Sequence, residues 1–420
     1  MMKEDNHLEK INRRQLIGRV AAMGLVLTQG PFERVIQTAG LPMSASDDPT
    51  KKLGPFPGKL GTRSPAEQLE KLTSFTSSRS PLQDFYGIIT PSDLHFERHH
   101  GGVPAIDPEK YELLIHGMVE RPLKFTLRDL KRFPSVSQIR FLECSGNYRG
   151  GNEELTPQHI CGLTSQSEWT GVMLSTLFRE VGLKPKASWF LAEGGDAAVM
   201  TRSIPISKGL DDAMIVYAQN GEAVRPEQGY PARLFLPGWE GNTSIKWLRR
   251  IELSDSPFMT REETSKYTER IKDGKIRQFS VVMDARSIIT FPTFPVSVEK
   301  GWMEIRGIAW SGRGKITTVE VSVDNGKNWY PARLQHPVLD KAHTAFRFLW
   351  QWDGRETVIM SRAYDETGYR QPFLQELVEA RGSSGGYHFN PVVPWRLKPD
   401  GQVVLASETQ GRGRGRRPTP

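Results

Sequence analysis

Between Tyr111 and Gly238 the hydrophobic positions come in short runs of mixed period. Tyr111-Glu112-Leu113-Leu114-Ile115-His116 predicts a strand, and Thr126-Leu127-Arg128-Asp129-Leu130-Lys131 a short helix capped by Thr126. Ile139-Arg140-Phe141-Leu142 predicts a short strand that delivers Glu143-Cys144-Ser145-Gly146-Asn147, a stretch ending in turn formers. Val172 to Val181 reads as a helix stopped by Gly182. Trp189 to Leu191 and Ala213 to Tyr217 read as strands, the second ending at an Asn220-Gly221 turn, and Arg233-Leu234-Phe235-Leu236 is a strand stopped by Pro237-Gly238. Mixed strands and short helices predict an α+β body. Neither a G-x-G-x-x-G fingerprint nor a P-loop is present, which leaves dinucleotide and nucleoside triphosphate sites unsupported.

After about residue 285 the period becomes two. Gly301 to Trp310 and Thr318 to Val323 alternate, and the second run enters the turn Asp324-Asn325-Gly326. Phe346 to Trp352 and Glu356 to Tyr364 add further strands, so a β-sandwich of immunoglobulin type is expected over 285–400, without a Cys…Trp…Cys framework. Alone, such a module points to binding or dimerisation rather than catalysis.

The 420 residues, 37% hydrophobic and 25% charged, place the chain with soluble globular proteins of two to three domains. No apolar run reaches the ~18 residues of a membrane span. Arg13-Arg14 precede the short apolar stretch Val20 to Leu27, the layout of a twin-arginine export signal, with small residues at Ser44-Ala45-Ser46 for cleavage. That reading sets 1–46 aside as an address and predicts a periplasmic protein exported folded, a route suited to a chain that takes up a complex cofactor first. Residues 47–80, rich in Pro, Gly, Ser and Lys, read as an irregular arm, and 401–420, with Gly411 to Arg417, as a disordered basic tail. The net charge of +8 suits an anionic substrate, while the tail alone makes a weak case for nucleic acid, and none is expected as partner.

Only two cysteines occur, Cys144 and Cys161, too few and too far apart for a zinc cage or a C-x-x-C pair. Cys144, after an apolar strand and before turn residues, sits at the lip of a sheet, where a thiolate serves as nucleophile or soft metal ligand; the alternative is a core cysteine.

The stretch Phe141 to Arg149 around Cys144-Ser145-Gly146-Asn147 resembles the molybdenum-cysteine motif of the sulfite oxidase family of molybdopterin enzymes. Upstream, Phe96-Glu97-Arg98-His99-His100 and Val103-Pro104-Ala105 are similar to the segment with that family's substrate arginine and pterin-contacting histidine. Downstream, Gly229 to Gly238 and Ile245 to Leu248 resemble its pterin-binding segments, and Ala309-Trp310-Ser311-Gly312 its dimerisation domain. The wording of Leu94 to His100, Pro237 to Asn242 and Thr260 to Tyr267 is especially like the sulfane dehydrogenase branch.

The resemblance implies a molybdopterin-binding catalytic domain over 81–280 followed by an immunoglobulin-like dimerisation domain, with molybdenum and molybdopterin as cofactors. It implies Cys144 as the metal ligand, and Arg98 and Arg149 as oxyanion-binding arginines, since a guanidinium stays charged and forks onto an oxyanion. It implies Tyr267 as hydrogen-bond donor near the metal and His100, Arg233, Ser244 and Lys246 as holders of the pterin and its phosphate. Two departures bear on the substrate. Tyr148 takes the place of the first arginine after the cysteine motif, and a further arginine expected from the second domain falls to Arg313 or Lys315. Both fit a pocket opened for something bulkier than sulfite, such as protein-bound sulfane sulfur. Neither a His-Pro-Gly-Gly haem segment nor a Cys-x-x-Cys-His site occurs, so electrons are expected to leave to a separate c-type cytochrome subunit, in a homodimer or a heterotetramer with that cytochrome. The expected activity is oxidation of sulfane sulfur, presented on a sulfur-carrier protein, or of sulfite. The alternatives are a periplasmic sulfite dehydrogenase or related oxotransferase and, outside enzymes, an exported sandwich whose first domain only scaffolds.

Overall fold

Alternation along one strand organises the centre of the molecule. In Val136–Glu143 successive side chains point to opposite faces. Phe141 packs into the core of the C-terminal sandwich, together with Trp310, Ile288 and Trp395, whereas Leu142 packs with Phe96, Trp169 and Phe235, where Cys144 abuts the cluster. One strand thus ties two cores together and leaves Cys144 on the side away from the sandwich.

The computed structural model describes residues 58–67, 69–382 and 386–406. The chain divides into two units, Met1–Glu67 and Gln68–Pro420. The described part of the first, 58–67, is exposed and carries neither helix nor strand; among the described residues every helix and strand belongs to the second unit. The expected export signal and the Arg-Gly repeat of the tail lie outside the described residues.

Two sheets build the α+β body. Glu222–Ala223, Met214–Gln219, Thr164–Met173 and Val136–Glu143 lie side by side, with Arg233–Phe235 also paired to Met214–Gln219. The second sheet runs Leu123–Thr126, Glu112–Gly117, Leu248–Ser254, Trp189–Gly194, Thr201–Pro205, with one parallel pairing between Glu112–Gly117 and Leu248–Ser254. The helix Leu174–Val181 buries Leu174, Leu177, Phe178 and Val181, an i, i+3, i+4, i+7 face, against this second core. It ends as expected at Gly182, whose φ of 68° is open to glycine without strain. The short helix Leu127–Leu130 carries the Thr126 cap in a full capping box with Asp129.

The C-terminal part is two antiparallel sheets. One runs Arg286–Phe291, Gly301–Trp310, Thr344–Trp352, Arg333–Leu334; the other runs Tyr330–Pro331, Ile316–Ser322, Thr357–Asp365, Trp395–Leu397, Val403–Leu405. Asn325 and Gly326 take the left-handed conformation of the expected turn, and the next strand begins at Tyr330 and pairs back onto Ile316–Ser322.

Two expected boundaries are corrected. Leu72–Thr73 and Ser77–Arg79, inside the supposed irregular arm, pair with each other and with Glu97–Arg98 in a small antiparallel sheet. Val403–Leu405, inside the supposed disordered tail, is a buried edge strand that pairs with Trp395–Leu397. Both are segments of two or three residues, too short for a periodic signal and stabilised by pairing with distant chain. Among the described residues no helix is long and apolar enough to cross a membrane.

Candidate functional site

Cys144 follows the last residue of Val136–Glu143, and the turn after it is stapled from both sides. Asn147 accepts from the Leu163 amide at 2.8 Å and donates to the Glu143 carboxylate at 3.0 Å. The Cys144 amide bonds to Leu163 O at 3.0 Å, and its own carbonyl takes the Asn147 amide at 2.9 Å. Glu143, pointing the other way, is fully buried and receives Arg286 at 3.1 Å and the Trp310 indole N–H at 2.6 Å. The turn is therefore anchored into the sandwich by a charge-assisted network, while the half-buried thiol faces open space.

That space is a cleft of about 680 Å³, open to solvent, lined among others by Arg98, His100, Cys144, Arg233, Ser244, Lys246 and Tyr267. An outer vestibule, sharing Arg98, His100, Cys144 and Tyr267, adds Arg79, Arg261, Lys266 and Tyr387. Burial pushes the Cys144 thiol up, against the Gly146 amide and the positive charges of Arg98 and Arg79, which favour thiolate.

The small N-terminal sheet supplies Arg98, whose Nη1 donates to His99 O. Beside it Glu97 is held down to about 2 by the His99 hydrogen bond first, burial opposing, then by Lys71 and Ser78. His99 Nε2 lies 2.9 Å from Glu97, and its Nδ1 lies 2.8 Å from Lys246 Nζ. Because Lys246 donates and Glu97 accepts, this arrangement selects the Nε2–H tautomer. Lys246 also donates to Glu227 O at 3.0 Å and sits 4.5 Å above the Trp247 ring. Burial, then the charge of Arg233, pushes its ammonium well below the ordinary lysine range. Arg233, fully buried and brought down to about 9 by desolvation, spends Nη1 on Gln228 O and Nη2 on Ser244 O at 2.9 Å each, while its Nε has no partner. Asn242 Oδ1, also in the cleft, is a second buried atom without a partner. Ser244 Oγ accepts from the Leu236 amide at 3.0 Å, which leaves its O–H as a donor.

Across the cleft, Tyr267 Oη lies 3.1 Å from His100 Nε2. Burial raises the phenol and lowers the imidazole, so Tyr267 keeps its proton and His100 is neutral at pH 7. The Arg202 guanidinium lies 5.1 Å over the Tyr267 ring, and the Tyr387 ring lies tilted at 42° with its centroid 5.2 Å away. Arg202 is fixed by Glu240 at 2.8 Å and Glu263 at 2.7 Å, and Glu240 by His388 at 3.2 Å.

Seven of the ten residues singled out in the sequence thus converge: Arg98, His100, Cys144, Arg233, Ser244, Lys246 and Tyr267. Three do not line the cleft. Arg149 is exposed; its amide bonds Ile160 O at 3.0 Å and its charge acts on His159. Arg313 forks onto Asp284 at 3.0 and 2.7 Å and lies 5.3 Å from the Tyr369 ring. Lys315 is exposed on the sandwich, its amide held by Glu366. Missed in the sequence were Arg79, His99, Asn242 and Tyr387. For His99 the signal was available, a histidine one step from an arginine in a matched motif; Arg79 had none.

Among the described residues no group of three or more His, Cys, Asp or Glu side chains is placed to hold a metal ion.

Residues 100–262 match the family model of the oxidoreductase molybdopterin binding domain, and 277–393 that of the Mo-co oxidoreductase dimerisation domain. Among solved structures, the sulfane dehydrogenase SoxCD of Paracoccus pantotrophus superposes with a TM-score of 0.77 at 41% identity, over 90% of this chain and 99% of that one. Sulfite oxidase of Gallus gallus is 30% identical over 315 residues, 68% of each chain. The NADH nitrate reductase of Ulva prolifera is 30% identical over 338 residues, 68% of this chain but 38% of its own length, so the chain spans well under half of that relative.

Proposed function

Because the chain belongs to the sulfite oxidase family of molybdopterin-binding oxidoreductases, we propose that it is a molybdenum enzyme oxidising sulfur compounds, sulfane sulfur or sulfite, with a separate c-type cytochrome as electron acceptor. The observation that carries the reading is one solvent-open cleft that joins the Cys144 thiol to Arg98, Tyr267, Arg233 and Lys246. Likeness to a sulfane dehydrogenase at 41% identity supports the sulfane substrate.

The residues present fit the cofactor. One soft donor stands at the cleft wall, Arg233 Nε and Asn242 Oδ1 are buried and unpartnered, and two basic side chains, Arg233 and Lys246, line the same cleft. When bound, the cofactor supplies oxygen-atom and two-electron chemistry. The protein's own work is binding and orientation. Cys144 would hold the metal as its thiolate, a form that burial disfavours and that Arg98 and Arg79 favour. Arg233, Lys246 and the Ser244 hydroxyl would hold the pterin and its phosphate, and His99 with Glu97 fixes the position of Lys246. Arg98 would bind the oxyanion, and neutral His100 in its Nε2–H form would donate to the Tyr267 oxygen and leave the phenol proton free to point into the cleft. The paired arginines Arg13-Arg14 before an apolar stretch support folded export to the periplasm.

Metal and pterin analysis of the native isolate tests the proposal, together with steady-state turnover on sulfite alone and on sulfite with a sulfur-carrier protein, cytochrome c accepting. About one molybdenum per chain and turnover favoured by the carrier is the expected outcome. Near-zero molybdenum from cofactor-competent cells would support a scaffold instead, and equal turnover without carrier a free-sulfite dehydrogenase.

A further inference from the structure

We propose that Arg79, on the strand beside Arg98, is the second guanidinium that grips the substrate oxyanion, in the role that Arg149 was expected to fill. The inference rests on the functional reading above, and its geometry comes from strand register. Ser77 pairs with Arg98 and Ser78 with Glu97 across two antiparallel strands. Cross-strand partners share a face and alternate residues return to it, so Arg79 stands on the face of Ser77 and Arg98. Glu97 and Ser78 occupy the opposite face, where their side chains bond to each other at 3.1 Å. Arg79 is therefore the diagonal neighbour of Arg98, about 7 Å away at the backbone, a spacing two long guanidiniums close around one anion.

The vestibule confirms the direction. Arg79 lines it with Arg98, Cys144 and Tyr267. Arg149 is not among the residues that line it. Four cations, Arg79, Arg98, Arg261 and Lys266, line this space against one carboxylate, Glu262, which Arg261 already pairs at 2.5 Å. Such an excess concentrates anions at the mouth.

The backbone of Arg79 is also built in. Its carbonyl accepts Gln158 Nε2 at 2.8 Å, and the next amide, Ser80 N, bonds Gly162 O at 2.8 Å. A Cβ at position 162 would lie 2.8 Å from the Arg79 Cβ, so the glycine that caps the helix Pro157–Cys161 is what lets this strand close on the end of that helix. Meanwhile the position after Asn147 is Tyr148, half-buried and packed against Phe389 with ring centroids 5.0 Å apart. The chain that leads to Arg149 thus turns into packing, and the arginine follows it out of the cleft.

The test uses purified holoenzyme of wild type, Arg79→Gln, Arg79→Lys and Arg149→Gln, with molybdenum content recorded for each. Two readouts are taken: calorimetric binding of sulfate as a non-reacting oxyanion, and KM for sulfite. Loss of one charge-assisted contact predicts a rise of about 10- to 100-fold in both for Arg79→Gln at unchanged molybdenum. Arg79→Lys, which keeps the charge without the fork, falls between, and Arg149→Gln stays within about twofold. The proposal is overturned by Arg79→Gln values near wild type, by a rise confined to Arg149→Gln, or, where Arg79→Gln fails to fold or load, by wild-type values for Arg79→Lys. Should the wild type oxidise no sulfite, the functional reading fails on that ground, while sulfate affinity still decides the role of Arg79.

Discussion

Cys144 and Cys161 are the same side chain in two surroundings. Burial pushes both thiols up, and each has an arginine nearby. Proton affinity therefore does not separate a metal ligand from a core residue. Access and the commitment of the neighbouring charge do. Cys161 ends the helix Pro157–Cys161 within the sandwich core, and the arginine 3.6 Å from its sulfur, Arg286, is consumed by Glu143 and by the carbonyls of Asn147 and Phe389. Cys144 faces a solvent-open cleft that Arg98 lines with it. One thiol is packing and the other is open to a ligand.

Exchanging each sulfur for oxygen breaks the comparison most directly. Cys144→Ser should reduce turnover to background while the melting temperature stays within about 2 °C of wild type, since the site is half open to water. Cys161→Ser should keep turnover and lose about 1–3 kcal/mol of stability, because a hydroxyl replaces a thiol in a dry cluster. Cytochrome reduction and denaturant titration of both variants give the answer, and a dead Cys161→Ser enzyme that still holds full molybdenum would erase the distinction.

The second effect lies where the two surroundings meet. Glu143→Ala strips the acceptor from Arg286, Trp310 and Asn147 at once. A buried cation left unpaired costs about 3–5 kcal/mol, less than the complete loss of turnover but larger than any single contact in the cleft. Because Asn147 also staples the cysteine turn, molybdenum content should fall along with stability. Unfolding and metal analysis on one preparation measure both, and full metal retention at wild-type stability would show that the sandwich does not hold the turn.

Legibility in the sequence followed the range over which each feature is encoded. Cys144, Arg98 and Tyr267 sit in contiguous words whose order was readable, as did the helix ending at Gly182 and the strand Gly301–Trp310. Arg149 was misplaced because adjacency in sequence says nothing about which way a chain leaves a turn; the amide bond to Ile160 and the burial of Tyr148 decide that. Arg313 was misplaced because Asp284, a distant residue, captures it. Arg79 was invisible because its strand is Ser77–Arg79, three residues defined wholly by pairing with Leu72–Thr73 and Glu97–Arg98.

The smallest effect sharpens the contrast through pH. The strand carrying Arg98 is held by part-exposed ion pairs, whereas the Cys161 side chain packs in the sandwich core with the buried Arg286–Glu143 pair beyond it, so acid should loosen the first more readily. Glu97 sits at about 2 in the folded protein, by the His99 hydrogen bond chiefly and by Lys71, against roughly 4.5 when unfolded. A depressed carboxylate contributes its stability in full above its unfolded value and loses it as pH falls toward the folded one. Glu97→Gln should therefore melt a few degrees below wild type at pH 7, and the gap should close between about pH 4.5 and 2. Salt should shrink the gap at neutral pH, because the pair is partly open to water. The same scan on Cys161→Ser should give a gap that holds steady over this range, since no carboxylate is lost there. A constant gap for Glu97→Gln would mean that packing rather than charge holds the strand carrying Arg98 in place.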